Sequence, residues 1–170
     1  MIRKLKDRKK IVTRQVYPDS KYDSELIQKF IRYTMQHGKL QLATRLVYEF
    51  LAKIASKYPQ FGVKTLFEDQ IIGNLLFEYE TRKKIFGGSG YHVPQLTEKR
   101  RQTIVAMKIF INAARKNQRA NKIDIVSSLT IEADNILKGF GCISLKTVSE
   151  TKKRVAANKA LERKSYKKRI

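Results

Sequence analysis

The sequence predicts a mainly α protein: a single helical bundle of about six helices with a protruding β-hairpin and a basic N-terminal arm. Three observations point there. Apolar residues recur at three- and four-residue steps over several long stretches, the mark of helices with one buried stripe. One stretch, 77–97, breaks that period with β-branched and aromatic residues around GGSG and with Pro94. The charge, finally, is sorted into blocks, basic at the N-terminus, in the middle and at the C-terminus.

Taken in order, residues 1–19 are the basic arm, 20–76 and 98–141 the helical core, 77–97 the hairpin and 144–170 a basic C-terminal helix, all in one domain of 1–170. The first helix is expected to start near Asp19 or Ser20, with Leu26, Ile27, Phe30 and Ile31 as its stripe. Gly38 is placed to end it in a left-handed conformation. Residues 39–58 form the second helix through Leu42, Ala43, Leu46, Val47, Phe50, Leu51, Ile54 and Tyr58. A third runs from about Lys64 to Asn74 through Leu66, Phe67, Ile71 and Ile72. The fourth covers 99–116, with Ile104, Val105, Met107, Ile109, Ile111 and Ala113 facing inward. The fifth spans about 121–138 through Val126, Leu129, Ala133, Ile136 and Leu137, and is stopped by Gly139 and Gly141. The hairpin turns at Gly87–Gly90. The last helix has few apolar residues (Val148, Val155, Ala156, Ala157, Ala160 and Leu161), so it is expected to pack weakly on the core and to lie on something negatively charged.

Composition removes whole classes. The 170 residues contain 37 Lys+Arg against 15 Asp+Glu, a net charge of +22 with a pI near 10.2, so a polyanion is the natural partner. The apolar fraction of 42% is enough for a core. A single cysteine, Cys142, forms no intrachain disulfide. No run reaches the roughly 18–20 apolar residues of a membrane span, and the N-terminal segment lacks a secretory h-region.

The distribution is sharper than the total. Net charge is +5 over 1–19, +1 over 20–80, +10 over 81–122, −2 over 123–151 and +8 over 152–170. A chain that grips a polyanion at several places would sort its cations this way.

Each candidate for chemistry is weighed against its plain structural reading. GGSG is followed by Tyr91, His92 and Val93, strand residues rather than a Lys-Ser/Thr opening a helix, so it reads as a hairpin turn and not a phosphate loop. His37 and His92 with one cysteine make no zinc cluster of any standard spacing. Cys142 has no histidine near it and reads as a packing residue. Glu78 with Glu80, and Glu68 with Asp69, lack a third group and read as salt-bridge partners. No catalytic constellation emerges and no cofactor is expected. The basic blocks are different. Arg82, Lys83 and Lys84 share the ribbon with Phe86 and Tyr91, which offers phosphate contacts beside stacking surfaces. Arg100 and Arg101 open a helix where cations oppose the dipole, which points to an external anion. Arg115, Lys116, Arg119 and Lys122 close the same helix, where the dipole alone would favour them.

YPDSKYDSELIQKFI at 17–31, MQHGK at 35–39, VYEFL at 47–51, RKKIFGGSGYHVP at 82–94, RRQTIVAMK with NAARK across 100–116 and AANKA at 156–160 stand in the order and spacing of a known family. Over nearly its whole length the sequence resembles small-subunit ribosomal protein seven of the bacterial type. The resemblance implies a helical bundle with a projecting ribbon, binding to the 3′ major domain of small-subunit rRNA, initiation of head assembly, and a place at the exit tRNA site near mRNA. It places Arg3, Lys4, Arg8, Lys9, Lys10, Arg14, Lys21, Lys39, Arg100, Arg101, Arg115 and Lys116 on rRNA. It turns Arg82, Lys83, Lys84, Gly87, Gly88, Tyr91, Lys152, Lys153, Asn158 and Lys159 towards tRNA and mRNA. Neighbouring head proteins would be further partners.

The chain departs from the family pattern at Leu40, where a second lysine is usual, and at Ile109, where tryptophan is common. It also lacks the family's histidine in the last helix and the aromatic ending. With abundant Ile, Lys, Tyr and Phe, these departures indicate an organelle-encoded protein of a mitochondrial ribosome, with plastid or bacterial cytoplasm as alternatives. The basic N-terminus reads as mature RNA-binding arm rather than transit peptide. The competing function is a free-standing basic helical DNA- or RNA-binding regulator; a nucleic-acid-modifying enzyme lacks its constellation.

Overall fold

In a computed structural model the described residues are 17–86, 88–139 and 141–159. The elements run α1 (Glu25–Thr34), α2 (Leu40–Lys57), a one-turn α3 (Val63–Thr65) continuing into a π-helix (Leu66–Ile72) and a 3-10 turn (Gly73–Leu75), β1 (Tyr79–Phe86), β2 (Ser89–Leu96), α4 (Lys99–Asn121), α5 (Ile125–Lys138) and α6 (Ile143–Ala157). Residues 1–16 of the arm, Gly87, Phe140 and the last residues of the predicted C-terminal helix lie outside the described residues.

Phe30, Phe50, Phe67 and Phe110 meet at the centre, all fully buried, with Phe30 at 4.9 Å from Phe67, 5.8 Å from Phe110 and 6.3 Å from Phe50 between ring centroids. They come from α1, α2, the π segment and α4, so one aromatic cluster joins four elements. Predicted stripes on α1, α2 and α5 are buried at Ile27, Phe30, Ile31, Val47, Phe50, Leu51, Ile54, Val126, Leu129, Ala133 and Ile136. Leu26, Leu46, Tyr58 and Leu137 are only partly buried against that core, and Leu42 is half exposed at the stripe's edge.

Several boundaries move for identifiable reasons. Helix α1 starts at Glu25, because Ser24 caps it: its hydroxyl accepts from the Ile27 N–H at 3.1 Å and donates to Glu68. Asp19, expected near the helix start, instead closes the preceding turn, accepting from the Lys21 and Tyr22 amides at 3.2 Å and from the Tyr48 hydroxyl at 2.6 Å. Burial and the Asp19 carboxylate push the Tyr48 phenol up to about 12, so it stays a donor. Gly38 is left-handed (φ +74°), but α1 has already stopped at Met35; His37 (φ +50°) and Gly38 together shape the α1–α2 loop.

The third helix exists but is mostly not α, since its residues 66–72 are wound as π-helix. Helix α4 continues to Asn121, and of its predicted inward residues Met107, Ile111 and Ala113 are buried, joined by Ala106, Phe110 and Ala114, while Ile104, Val105 and Ile109 are half-buried. The ribbon register pairs Tyr79 with Leu96 and Phe86 with Ser89, leaving two residues in the turn instead of four. Helix α5 begins at Ile125 behind an Asp124 cap and ends at Gly139 (φ +80°), as expected for that glycine.

Helix α6 is held more firmly at its start than its composition implied. Ser144 and Val148 are buried, and Glu132 on α5, 0% exposed, accepts from the Ser144 amide, the Ser144 hydroxyl and the Asn117 side chain, each at 2.7 Å. The polar junction thus supplies what the sparse stripe lacks, tying α4, α5 and α6 at one point. Beyond Val148 only Thr151, Val155 and Asn158 of the described residues are even half-buried. No described helix is long and apolar enough to cross a membrane.

Candidate nucleic-acid interface

Helices α1 and α4 lie side by side with a groove of ≈ 360 Å³ between them, lined by Leu26, Lys29, Arg32, Tyr33, Arg100, Thr103, Ile104 and Met107. Its apolar floor is roofed by cations. Lys29 and Arg32 are one turn apart on α1, and Arg100 and Lys108 sit on one face of α4 at a spacing of eight residues. The Lys108 ammonium lies 5.4 Å from the Tyr33 ring centre, and Lys29 pairs with Glu25 at 3.2 Å, an exposed bond that a phosphate can displace. Arg100 was expected here. Lys29 and Arg32 were missed because a stretch whose acids nearly cancel its bases hides cations that a helix gathers on one face, and Lys108 because it stands alone in the apolar middle of its helix; their three- and eight-residue spacing was the available signal.

The ribbon carries charge on both faces. Residues directly opposite share a face, so Arg82, Lys84, Tyr91 and Val93 lie on one side and Lys83, Ile85, Gly90 and His92 on the other. Arg82 and Lys83 are exposed, Tyr91 is 40% exposed, and Gly88 takes the positive φ (+83°) that the turn requires. Gly90 lets the Lys83 stem lie across the partner strand: a Cβ there would come within 2.7 Å of Lys83 Cε. Near the ribbon base, Lys152 and Lys159 of the last helical segment border a cavity with Phe77, Tyr79 and Pro94. Lys153 is exposed, and Asn158 follows α6 as its C-cap.

Two predicted RNA contacts have internal work. Arg101 was expected to serve an external anion; it instead binds Glu80 of β1 through two hydrogen bonds of 2.7 and 2.8 Å, fixing the ribbon to α4. Glu80 thereby takes the salt-bridge role expected of it. Arg115 does not close its helix, which runs on to Asn121; it crosses to the end of α1 and donates to the Thr34 carbonyl at 3.1 Å. Lys116 is exposed and shares a cleft with Arg119 at the start of α6. Lys39 is exposed at the head of α2, and Lys21 stands about 5 Å from the Tyr22 and Tyr48 ring centres. Arg3, Lys4, Arg8, Lys9, Lys10 and Arg14 lie outside the described residues.

The hydrogen bonds from Arg101 hold the Glu80 carboxyl below the usual carboxylate range. A carboxylate depressed in the folded state gives stability that is present above its unfolded value and is lost as pH falls through the lowered folded value. The ribbon anchor is therefore expected to be unchanged from about pH 7 to about pH 5, with the NMR shifts of the Glu80 side-chain carboxyl and Cγ carbons flat over that window. Movement of those shifts with a midpoint inside it would contradict the assignment.

The other chemical candidates take structural places. Cys142 is buried and caps α6, its sulfur accepting from the Leu145 amide at 3.3 Å, and burial pushes its thiol up, away from thiolate. Among the described residues, no cluster of three His, Cys, Asp or Glu side chains is placed to hold a metal. What the surface offers is cations on helix faces and on a ribbon with an exposed aromatic, the equipment for backbone phosphates and unpaired bases.

Comparison with known proteins agrees. Residues 6–159 match the family described as ribosomal protein S7p/S5e. The chain is 33% identical over 148 residues to the small ribosomal subunit protein uS7 of Thioalkalivibrio sulfidiphilus, covering 86% of this chain and 90% of that one. It is 33% identical over 155 residues to the uS7 of Rickettsia massiliae, covering 91% and 93%, and 30% identical over 154 residues to that of Psychrobacter cryohalolentis, covering 90% and 94%. On that match, and with a bundle, ribbon and cationic faces of the form its motifs implied, the chain belongs to the ribosomal protein S7p/S5e family.

Proposed function

We propose that the protein is a structural, non-catalytic constituent of the small ribosomal subunit that binds the 3′ major domain of its rRNA, starts assembly of the head, and borders the exit tRNA site beside the mRNA. The observation that carries this reading is the cationic α1–α4 groove at the foot of a basic ribbon, in a chain of this family. The groove, Lys39 and the arm take rRNA backbone. The ribbon face of Arg82, Lys84 and Tyr91, with Lys152, Lys153 and Lys159, faces tRNA and mRNA. Leu40, Ile109 and the Ile- and Lys-rich composition favour a mitochondrial ribosome over a plastid or bacterial one. The Arg101–Glu80 bond serves this role indirectly, by setting the direction in which the ribbon leaves the bundle.

Sedimentation tests the assignment. The protein is expected in the small-subunit peak and to remain there after moderate salt washing; recovery only at the top of the gradient overturns it. Subunits carrying Arg82→Ala with Lys83→Ala are expected to assemble normally and to hold exit-site tRNA about tenfold more weakly in filter binding. Unchanged tRNA affinity would remove the ribbon from that role.

A further inference from the structure

We propose that the cleft between the α1–α2 loop and the α4–α5 pair receives one unstacked nucleobase of the bound RNA. This deepens the rRNA-binding reading and depends on it. The cleft measures ≈ 230 Å³, room for a heterocycle but not for a helix or strand. Its walls are aliphatic: Leu42, Leu46, Ile111, Ile125 and Leu129. Leu42 is 51% exposed on a helix whose next inward residues are buried, so apolar surface is left open to water here.

The polar groups are few and convergent. Gln36 and Gln118 present amides that can meet the edge of any base. Thr34 also lines the cleft. It is only 9% exposed, and its hydroxyl has no hydrogen-bond partner among the described residues, an omission that a folded chain ordinarily avoids unless a ligand supplies the partner. Lys39 and Arg115 stand at the cleft and no carboxylate does, so the occupant's backbone is anionic. Flat apolar faces, a hydrogen-bonding edge and a flanking negative charge together describe a nucleotide. The left-handed His37–Gly38 step turns the loop back over the cleft mouth and brings Lys39 to it. Arg115 gains a reason for its inward course, since its bond to the Thr34 carbonyl holds the floor in shape.

The test uses the full chain and an in vitro transcript of a bacterial small-subunit rRNA 3′ major domain. Leu42→Ser combined with Gln118→Ala removes one wall and one amide without changing charge. Affinity is expected to fall at least tenfold, as for loss of a base stack, while the dependence of log K on log salt keeps its slope. A single transcript nucleotide protected from base-modifying reagents by the wild type is expected to become reactive. Leu42→Ser alone, at an exposed position, gives a smaller loss in the same direction and guards against misfolding, which circular dichroism would show. Unchanged affinity and protection with the double variant overturn the pocket while leaving the family role intact, and would leave the cleft to a protein segment. Failure of the wild type to bind the transcript overturns the rRNA-binding reading itself.

Discussion

Replacing Lys29, Arg32, Arg100 and Lys108 together by alanine is expected to lower RNA affinity by nearly three decades at about 0.1 M salt. Each phosphate contact to a single-stranded or irregular RNA contributes about 0.7 to the slope of log K against log salt, so four contacts flatten it by about 3. In the groove, cations from two helices face a common space, which is why their loss compounds. None is fully buried, and the ion pair lost among the described residues, Lys29 with Glu25, is exposed, so the fold should persist by circular dichroism. Lys53→Ala, on α2 beside Glu49, serves as the control and should shift the slope by less than the about 0.7 of a single contact. A quadruple variant that retained the wild-type slope would show that RNA does not enter the groove.

Phe30→Ala is expected to carry the largest stability loss, about 4 kcal/mol, because it empties the ring that touches Phe50, Phe67 and Phe110 at once. For a chain of this size that corresponds to a fall in Tm of about 10 °C. The effect should reach the interface, since Phe30 lies between Lys29 and Arg32 and its packing fixes the height of α1 against α4. Phe61→Ala, at a ring 38% exposed, should stay within about 0.5 kcal/mol. Equal midpoints for the two variants in thermal melts would refute the view that the aromatic cluster joins the four elements.

Much of the bundle could be read from one dimension because helix burial has a period. Ile27, Phe30, Val47, Phe50, Leu129 and Ala133 lie at those steps and are buried. Helix α4 shows where the method fails. Ile104, Val105, Met107, Ile109 and Ile111 are apolar almost all round the helix, and nothing local selects the inner face. Packing against α1, α2 and the π segment keeps Met107 and Ile111 inside and adds Ala106, Phe110 and Ala114, small residues around one large ring. The π winding of 66–72 likewise has no residue signature in this segment, whose Leu66, Phe67, Ile71 and Ile72 would suit an α-helix equally.

The candidate site divides in the same way. Its ribbon cations, Gly88 and Tyr91 were legible because turn chemistry and charge runs are local. Arg101 was misread because its anion, Glu80, is 21 residues away and faces it only once the ribbon folds back on α4. Glu132 gave no signal at all. An acid in a stretch of mild negative charge reads as surface, yet three donors from α4 and α6 converge on it in the interior. Residue types and spacing alone determined the helices, the ribbon, the polyanionic partner and the family resemblance, since these depend on interactions within a few residues or on summed charge. Which cations remain available to RNA, and which hold the protein together, was decided only by tertiary structure. That choice depends on whether an anion from elsewhere in the chain arrives within hydrogen-bonding distance.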